Sequence, residues 1–328
     1  MKVLLLGATG LLGHNVLQRL LAEGHRVVVL VRRRRSLRIP FTGFEVLESP
    51  SFDNDALLRA AEGCEAVVNC AGVTDMSLLR LEDYLGVNRD LCVRVIAAMK
   101  HHGIRRLVHV STVNTIGHGT ESHPADESQP MRPPFADSFY ARSKRLGEEA
   151  VLEGMRDYPG MEAVIINPGY MLGAYDVKPS SGRMLLAAYR KPLMFAPRGG
   201  KAFVHVADVA QAAVNALERG VPGSRYIVVN SQACMSIKEL YRLQAVVCGY
   251  RQRVVTAPDW LLLAAGRVGD LLRLMGVKTQ VSTCNIRQLL VREYYDNHHG
   301  LCDLGFPETP IADAIRDFHS WKNKQTEI

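Results

Sequence analysis

Tyr140-Ala141-Arg142-Ser143-Lys144 sets a phenol and an ammonium four residues apart. In a helical stretch that spacing turns both side chains to one face, within reach of a shared ligand. A phenol near its free pKa of about 10 is a poor acid–base catalyst at neutral pH, and a neighbouring lysine is expected to favour the phenolate and bring it toward the working range. A Y-x-x-x-K pair also arises by chance, so a solvated Tyr–Lys pair is the plain alternative. A second motif shifts the balance. Ser111-Thr112 follows the apolar run Leu107–Val110 upstream of Tyr140. A hydroxyl at the carboxyl end of a strand can hydrogen-bond a reacting carbonyl and stabilise charge growing on its oxygen.

Gly7-Ala8-Thr9-Gly10-Leu11-Leu12-Gly13 spaces its glycines as G-x-x-G-x-x-G, directly after the apolar run Val3–Leu6 and at the start of a helical pattern through Leu12, Val16, Leu20 and Leu21. Glycines there permit a tight turn, close backbone approach to a pyrophosphate and close helix–strand packing, while the helix start turns its amides and positive dipole end toward the phosphates. A glycine turn that binds nothing is the alternative; strand, loop and helix in register favour a dinucleotide, with Gly7, Thr9, Gly10, Leu11, Leu12 and Gly13 as its cradle. The residue after the second strand selects the cofactor, because an acid there accepts from a ribose 2′-hydroxyl and an arginine pairs with a 2′-phosphate. Here Val31 is followed by Arg32-Arg33-Arg34-Arg35. NADP(H) is therefore expected, with Arg32 and Arg33 as contacts and NAD as the other possibility. Four bases exceed what one phosphate needs, so a solvated basic loop is the competing reading.

The elements that would hold these groups can be read from periodicity. Val3–Leu6, the first helix and Arg26–Val31 make a βαβ unit, and strand patterns recur at Phe44–Leu47, Ala66–Cys70, Leu107–Val110 and Ala163–Ile166. Helical patterns at Asn54–Ala61, Val87–His101 and Phe139–Glu153 lie between them. Buried strands joined through helices predict an α/β fold, a doubly wound parallel sheet of the Rossmann type with helices on both faces. Asn167-Pro168-Gly169 is expected to break the last of these strands, with a loop over Tyr175–Gly182. Residues 1–170 are assigned to dinucleotide binding and 171–328 to a smaller, mostly helical C-terminal substrate lobe. Within the latter, 203–231 are expected to return to the first domain through short strands at Phe203–Val206 and Tyr226–Val229. Ile237–Val247, Asp259–Met275 and Ile311–Trp321 read as helices.

Composition bounds the partners. The 328 residues are 47% hydrophobic and 22% charged, which is ordinary for a globular chain and excludes a long disordered or collagen-like segment. The net charge is +7, but outside Arg32–Arg35, Arg38 and Arg105–Arg106 the bases are scattered, so no nucleic-acid partner is expected. Seven widely spread cysteines without a C-x-x-C predict reduced thiols, a cytoplasmic location and no metal. Met1–Leu6 resembles the opening of a signal peptide, yet Gly7, Gly10 and Gly13 interrupt it and a first strand explains it better. No run of 18 apolar residues occurs. Trp260, Leu261, Leu262 and Leu271–Leu274 are read as a packed amphipathic helix, with no membrane partner.

Taken together, the glycine loop, the hydroxyl pair and Y-x-x-x-K resemble the extended short-chain dehydrogenase/reductase superfamily, in its NAD-dependent epimerase/dehydratase branch. Asn69-Cys70-Ala71-Gly72 resembles the family's stretch after the fourth strand, and Val87-Asn88 its helix-borne asparagine. Asn167-Pro168-Gly169-Tyr170-Met171-Leu172-Gly173 is similar to R-P-x-x-x-x-G, with Asn167 in place of the arginine. Phe203-Val204-His205-Val206-Ala207-Asp208-Val209-Ala210 is similar to F-x-H-V-x-D-V-A. The resemblance implies that Thr112, Tyr140 and Lys144 are catalytic, with Ser111 a neighbour, and that Lys144 also meets the nicotinamide ribose. It further implies that Ala71, Gly72, Asn88, Pro168 and Gly169 line the cofactor. Ser49-Pro50-Ser51-Phe52 stands where many members carry an aspartate near the adenine, and His205 and Asp208 are read as helix-capping groups.

The reaction implied is hydride transfer between NADPH and a carbonyl of a small organic substrate, similar to dihydroflavonol-reductase-like members. One alternative is an NAD-dependent nucleotide-sugar epimerase, for which Lys178, Arg183, Arg190 and Lys191 could hold a diphosphate; Thr112-Val113-Asn114 lacks the acidic pair typical of dehydratases. Another is a non-catalytic NADP(H)-binding sensor. Candidate substrate contacts are Asp75, Met76, Asn114, Tyr170, Met171 and Tyr175. A homodimer through Val87–His101 and Phe139–Glu153 is a further implication, although the same apolar faces could pack on the sheet.

Overall fold

The computed structural model describes residues 1–37 and 42–326; Arg38 lies outside the described residues. The N-terminal part alternates as expected: β1 (Lys2–Leu6), α1 (Leu11–Ala22), β2 (Arg26–Val31), β3 (Phe44–Glu48), α2 (Asn54–Ala61), β4 (Ala66–Asn69), α3 (Glu82–Asn88), α4 (Asp90–His102), β5 (Arg106–Val110), α5 (Phe139–Asp157) and β6 (Glu162–Pro168). There follow β7 (Tyr170–Leu172), α6 (Gly182–Ala188), β8 (Leu193–Ala196), β9 (Gly200–His205), α7 (Val206–Asn215), β10 (Arg225–Val228), β11 (Cys234–Ser236) and α8 (Ile237–Val247). The chain ends with β12 (Arg253–Thr256), α9 (Asp259–Leu274), α10 (Thr283–Leu290), α11 (His298–Leu304) and α12 (Ile311–Thr326).

Seven strands form one sheet in the order β10-β6-β5-β4-β1-β2-β3, every pair parallel. Its two faces divide by the two-residue period of a strand. Val3 and Leu5 pack with Val16, Leu17 and Leu20 of α1 and Val209 and Ala213 of α7. Leu4 and Leu6 pack on the other face with Leu57 of α2, Val95 and Met99 of α4 and Val151 of α5. Burial of both faces explains why these strands are continuously apolar rather than alternating. The apolar sides of α4 and α5 are thus engaged with the sheet. Strand order reverses between β1 and β4, and at such a switch point the loops beyond the carboxyl ends form a crevice. The loops that begin at Gly7, Arg32, Cys70, Ser111 and Gly169 all open there.

Four local expectations are corrected. The helix expected over Val87–His101 is two helices, α3 and α4, broken at Arg89. Asn88 carries the break: its side chain is fully buried and bonds the backbone of Val73, so the chain cannot continue straight. Asn167-Pro168 does not interrupt β6, which runs through Pro168. The proline stands at the strand end, where its missing N–H costs little, and Gly169 N–H donates to Val228 O at 3.0 Å. Of the two strands expected to return to the sheet, only β10 does; β9 lies between β7 and β11 in a separate three-stranded sheet.

The fourth correction concerns α9, expected to be packed. Trp260 is 71% exposed, Leu271 60% and Leu274 86%, and the buried residues of the helix are Gly266 and Gly269. A methyl at Gly269 would lie 2.0 Å from Val281 O, and one at Gly266 3.0 Å from Thr283 Cα. The helix therefore approaches the start of α10 through its glycine face and turns its large apolar side chains outward. All seven cysteines are free, and no metal-holding cluster is present among the described residues.

Candidate active site

The glycine loop is shaped by close backbone contact. Gly7 has a φ of +83°, and a Cβ there would lie 2.6 Å from Ala71 N; a Cβ at Gly13 would lie 2.1 Å from Gly7 O. No other residue fits either place. Gly10 closes the turn by donating to Gly7 O at 2.9 Å and precedes α1 without any side-chain cap. Leu11 and Leu12 send their side chains into the core, and Thr9 is half-buried. The uncapped first-turn amides of a twelve-residue helix thus face the crevice beside an exposed glycine, an arrangement that fits a pyrophosphate.

The arginine run divides in function. Arg34 is tied down: its N–H donates to Glu48 Oε2 at 2.8 Å and its guanidinium to Val46 O at 2.6 Å. Arg32 and Arg33 are exposed at the end of β2, and neither side chain makes a hydrogen bond or ion pair among the described residues, while the Arg33 carbonyl accepts from Ser36 N–H at 3.0 Å. Ser51 Oγ donates to Asp53, whose carboxylate caps α2, so that serine is engaged locally.

Thr112, Tyr140 and Lys144 come together at the end of β5. Ser138 caps α5, accepting from Ala141 N–H, and so fixes the first turn that carries Tyr140. The Thr112 hydroxyl lies beside the Tyr140 phenol and favours its ionised form. Lys144 is buried and its Nζ donates to Val110 O at 2.6 Å. A methyl built on Gly72 would lie 4.0 Å from Lys144 Nζ and 3.6 Å from Asn88 Oδ1, which puts the loop after β4 against the same group. Asn88 accepts from Val73 N–H at 2.8 Å and donates to Ser143 Oγ at 2.8 Å, joining that loop to the helical turn between Tyr140 and Lys144. Ser111 Oγ, beside Thr112, is buried without a partner among the described residues.

The electrostatics depart from the expected tuning. Burial pushes the Tyr140 phenol up to about 12, and Thr112 pulls the other way. The Lys144 ammonium donates to the Val110 carbonyl at 2.6 Å. Burial also lowers Lys144 below the ordinary lysine value, while Cys92, Glu148 and Cys70 pull it back.

Beneath Thr112 lies a polar floor that motif reading missed. Glu148, fully buried, accepts from Thr115 Oγ1 at 2.6 Å and from Asn167 Nδ2 at 2.8 Å, with Arg145 at 3.3 Å and Arg225 at 3.5 Å on its other oxygen. Thr115 Oγ1 and Asn167 Nδ2 also meet the Thr112 carbonyl, at 2.8 and 3.0 Å. Asn167, the departure from R-P, is thus a link in this floor. The available signal was Glu148 four residues after Lys144 on α5, which alone names no partner.

A cavity of about 180 Å³ opens beside Tyr140, with Met76, Leu78 and Phe139 on its walls and Asp270 and Arg273 facing it from α9. Of the candidate substrate contacts, Met76 lines this cavity and Asn114 donates its N–H to Thr112 Oγ1 at 3.3 Å. Tyr175 stacks on His14 of α1 with ring centroids 4.1 Å apart, while Asp75 accepts from Ser77 N–H at 2.9 Å. Tyr170 donates to Ser181 O at 3.2 Å, and Met171 packs against the main core. The proposed diphosphate bases are partly engaged elsewhere: Arg183 bonds Pro179 O, and Arg190 lies over the Tyr189 ring at 5.3 Å. His205 caps α7, accepting from Ala207 N–H, whereas Asp208 lies within α7 and accepts from Thr309 N–H and Oγ1, tying that helix to the segment before α12.

This architecture recurs in known proteins. The structure is similar to that of a UDP-glucose 4-epimerase from Thermotoga maritima, with a TM-score of 0.79 at 17% identity over 99% of this chain and 100% of the other. In sequence it is 26% identical to a putative dihydroflavonol 4-reductase of Synechocystis, over 96% of this chain and 92% of the relative. It is 25% identical to sterol demethylase protein B of Methylococcus capsulatus, over 98% of both. Residues 3–230 match the model of the NAD dependent epimerase/dehydratase family, whose members bind NAD(P). The chain belongs to that family.

Proposed function

We propose that this chain is a reductase that uses NADPH to reduce the carbonyl of an organic substrate held in the cavity beside Tyr140. The observation that carries the reading is the junction of Thr112, Tyr140 and Lys144 against the Gly72 loop. When bound, the cofactor supplies the hydride. The chain supplies the rest. A phenol raised to about 12 is protonated at neutral pH, so Tyr140 is poised to give a proton to the forming alkoxide rather than to take one. Thr112, beside the phenol, orients that proton, and Lys144, buried with few solvent contacts, puts a positive charge where negative charge develops. Gly7, Thr9, Gly10, Leu11, Leu12 and Gly13 would cradle the pyrophosphate, with Ala71, Gly72, Asn88, Pro168 and Gly169 along the remainder. Arg32 and Arg33 would pair with the 2′-phosphate. The relatives named for dihydroflavonol and sterol chemistry favour an alicyclic or aromatic ketone, which suits the Met76, Leu78 and Phe139 walls.

The test is a titration of purified protein with NADPH and NADH, followed by a ketone screen with wild type and Tyr140→Phe. The expected outcome is exchangeable NADPH binding in both proteins and a turnover loss of about 10²–10⁴-fold in the variant. Tightly held NAD that does not exchange would replace this reading with nucleotide-sugar epimerisation. Unchanged biological activity in Tyr140→Phe would replace it with cofactor sensing.

A further inference from the structure

The outer face of α9 is the largest feature that the site does not use. Trp260 and Leu261, then Val268, Leu271, Leu272 and Leu274, recur at helical spacing and are all exposed. Met275, Val277 and Val281 continue the apolar surface past the helix end. A contiguous strip of this kind along a helix of about 24 Å is more than scattered surface hydrophobics explain.

Charge identifies what it meets. The segment 259–290 contains two carboxylates, both engaged: Asp259 pairs with Arg198 at 2.8 Å, and Asp270 accepts from Thr283 N–H at 3.0 Å. Arg267, Lys278 and Arg287 are exposed and make no ion pair among the described residues. A symmetric contact between two copies would set these bases against their own equivalents, with no free acid on the hairpin to answer them. An anionic bilayer answers both properties at once, apolar tails to the stripe and headgroup charge to the bases. The helix lies on such a surface rather than crossing it, since no helix among the described residues is long and apolar enough to span.

We propose that the apolar face of α9 and the turn after it dock this protein on an anionic lipid surface, contrary to the sequence expectation of no membrane partner. The opposite side of the same hairpin, through Asp270 and Arg273, borders the cavity at Tyr140, so docking leaves the thickness of one helix between that cavity and the lipid. Arg273 holds the hairpin to the loop before α3 by donating to Met76 O at 3.2 Å and Leu78 O at 2.6 Å. The docking does not depend on the hydride-transfer reading.

The experiment is flotation of the intact protein with vesicles of phosphatidylcholine alone or mixed equally with phosphatidylglycerol. Trp260 emission is followed in a Trp321→Phe background. The expected result is salt-sensitive binding to the phosphatidylglycerol vesicles with blue-shifted Trp260 emission. Trp260→Ser combined with Leu274→Ser should weaken binding at least about tenfold while NADPH binding and circular dichroism stay unchanged. No flotation of folded, NADPH-binding protein overturns the proposal, as does equal flotation of the double variant. A dimer that the double variant converts to monomer, without vesicle binding, assigns the face to a second copy and overturns it too.

Discussion

Under Thr112, a buried carboxylate, an amide, a hydroxyl and two guanidinium groups from α5, β6, the turn after β5 and β10 meet at bonding distance. On the far side of the Tyr140 cavity, α9 carries leucines, a valine and a tryptophan that stand largely exposed, and Met275 follows them. One region is knit together by internal partners, although Asn167 Oδ1 and Arg225 Nη1 lack a hydrogen bond among the described residues, and the other is nearly devoid of them. A group whose partners are all internal is holding the fold; a group left open after folding is available to something else. Arg34 and Arg32 repeat the contrast within three residues, the first bound to Val46 and Glu48, the second unpartnered among the described residues.

The sharpest way to break this comparison is at its internally bonded end. Glu148→Ala leaves Thr115 Oγ1, Asn167 Nδ2 and Arg225 facing a void, and loss of one member of a buried charged cluster costs about 3–5 kcal/mol. Urea unfolding should show that loss. In whatever fraction folds, turnover should drop while NADPH affinity is kept, because Glu148 holds Thr115 and Asn167, the two anchors of the Thr112 carbonyl, and does not touch the glycine loop. A cost under about 1 kcal/mol would mean that the floor is not a cooperative unit.

A smaller effect is expected where the arginine run divides. Arg32→Ala should weaken NADPH by about tenfold and leave NADH nearly unchanged, since only the former carries a 2′-phosphate. Arg34→Ala should instead move stability, through its contacts to β3, and spare the NADPH preference. Equal loss for both cofactors in Arg32→Ala would place the charge effect on the pyrophosphate and remove the argument for NADPH.

These contrasts also explain what the sequence could disclose. The seven-stranded sheet was legible because its strands are apolar on both faces and its glycine loop is local. Tyr140 and Lys144 were legible because one helical turn joins them. The floor was hidden because Glu148 meets Thr115, Asn167 and Arg225 across 33, 19 and 77 residues, distances at which spacing says nothing. The position of β9 was missed because an apolar run fits any sheet. The exposure of α9 was missed because amphipathic periodicity does not say which side has a neighbour; Gly266 and Gly269 are the contact face. Burial raises Tyr140, and the acceptor of the nearby lysine, Val110 O, is a backbone atom that no motif contains.

The smallest effect is expected at the unpartnered end, and its smallness is the point. Leu240 of α8 is fully buried, whereas Leu274 of α9 is among the most exposed leucines of the chain. Leu240→Ala should cost about 2–5 kcal/mol through lost burial and the cavity it leaves. Leu274→Ser removes a side chain that water already reaches and should shift stability by no more than about 0.5 kcal/mol. Both are read from urea midpoints at one protein concentration, then repeated at a lower one. If Leu274→Ser costs as much as Leu240→Ala and the cost fades on dilution, that leucine is packed against a second copy in solution. If it costs little at every concentration, the stripe contributes nothing to the folded chain, and its retention across so many large apolar residues needs an external surface to explain it.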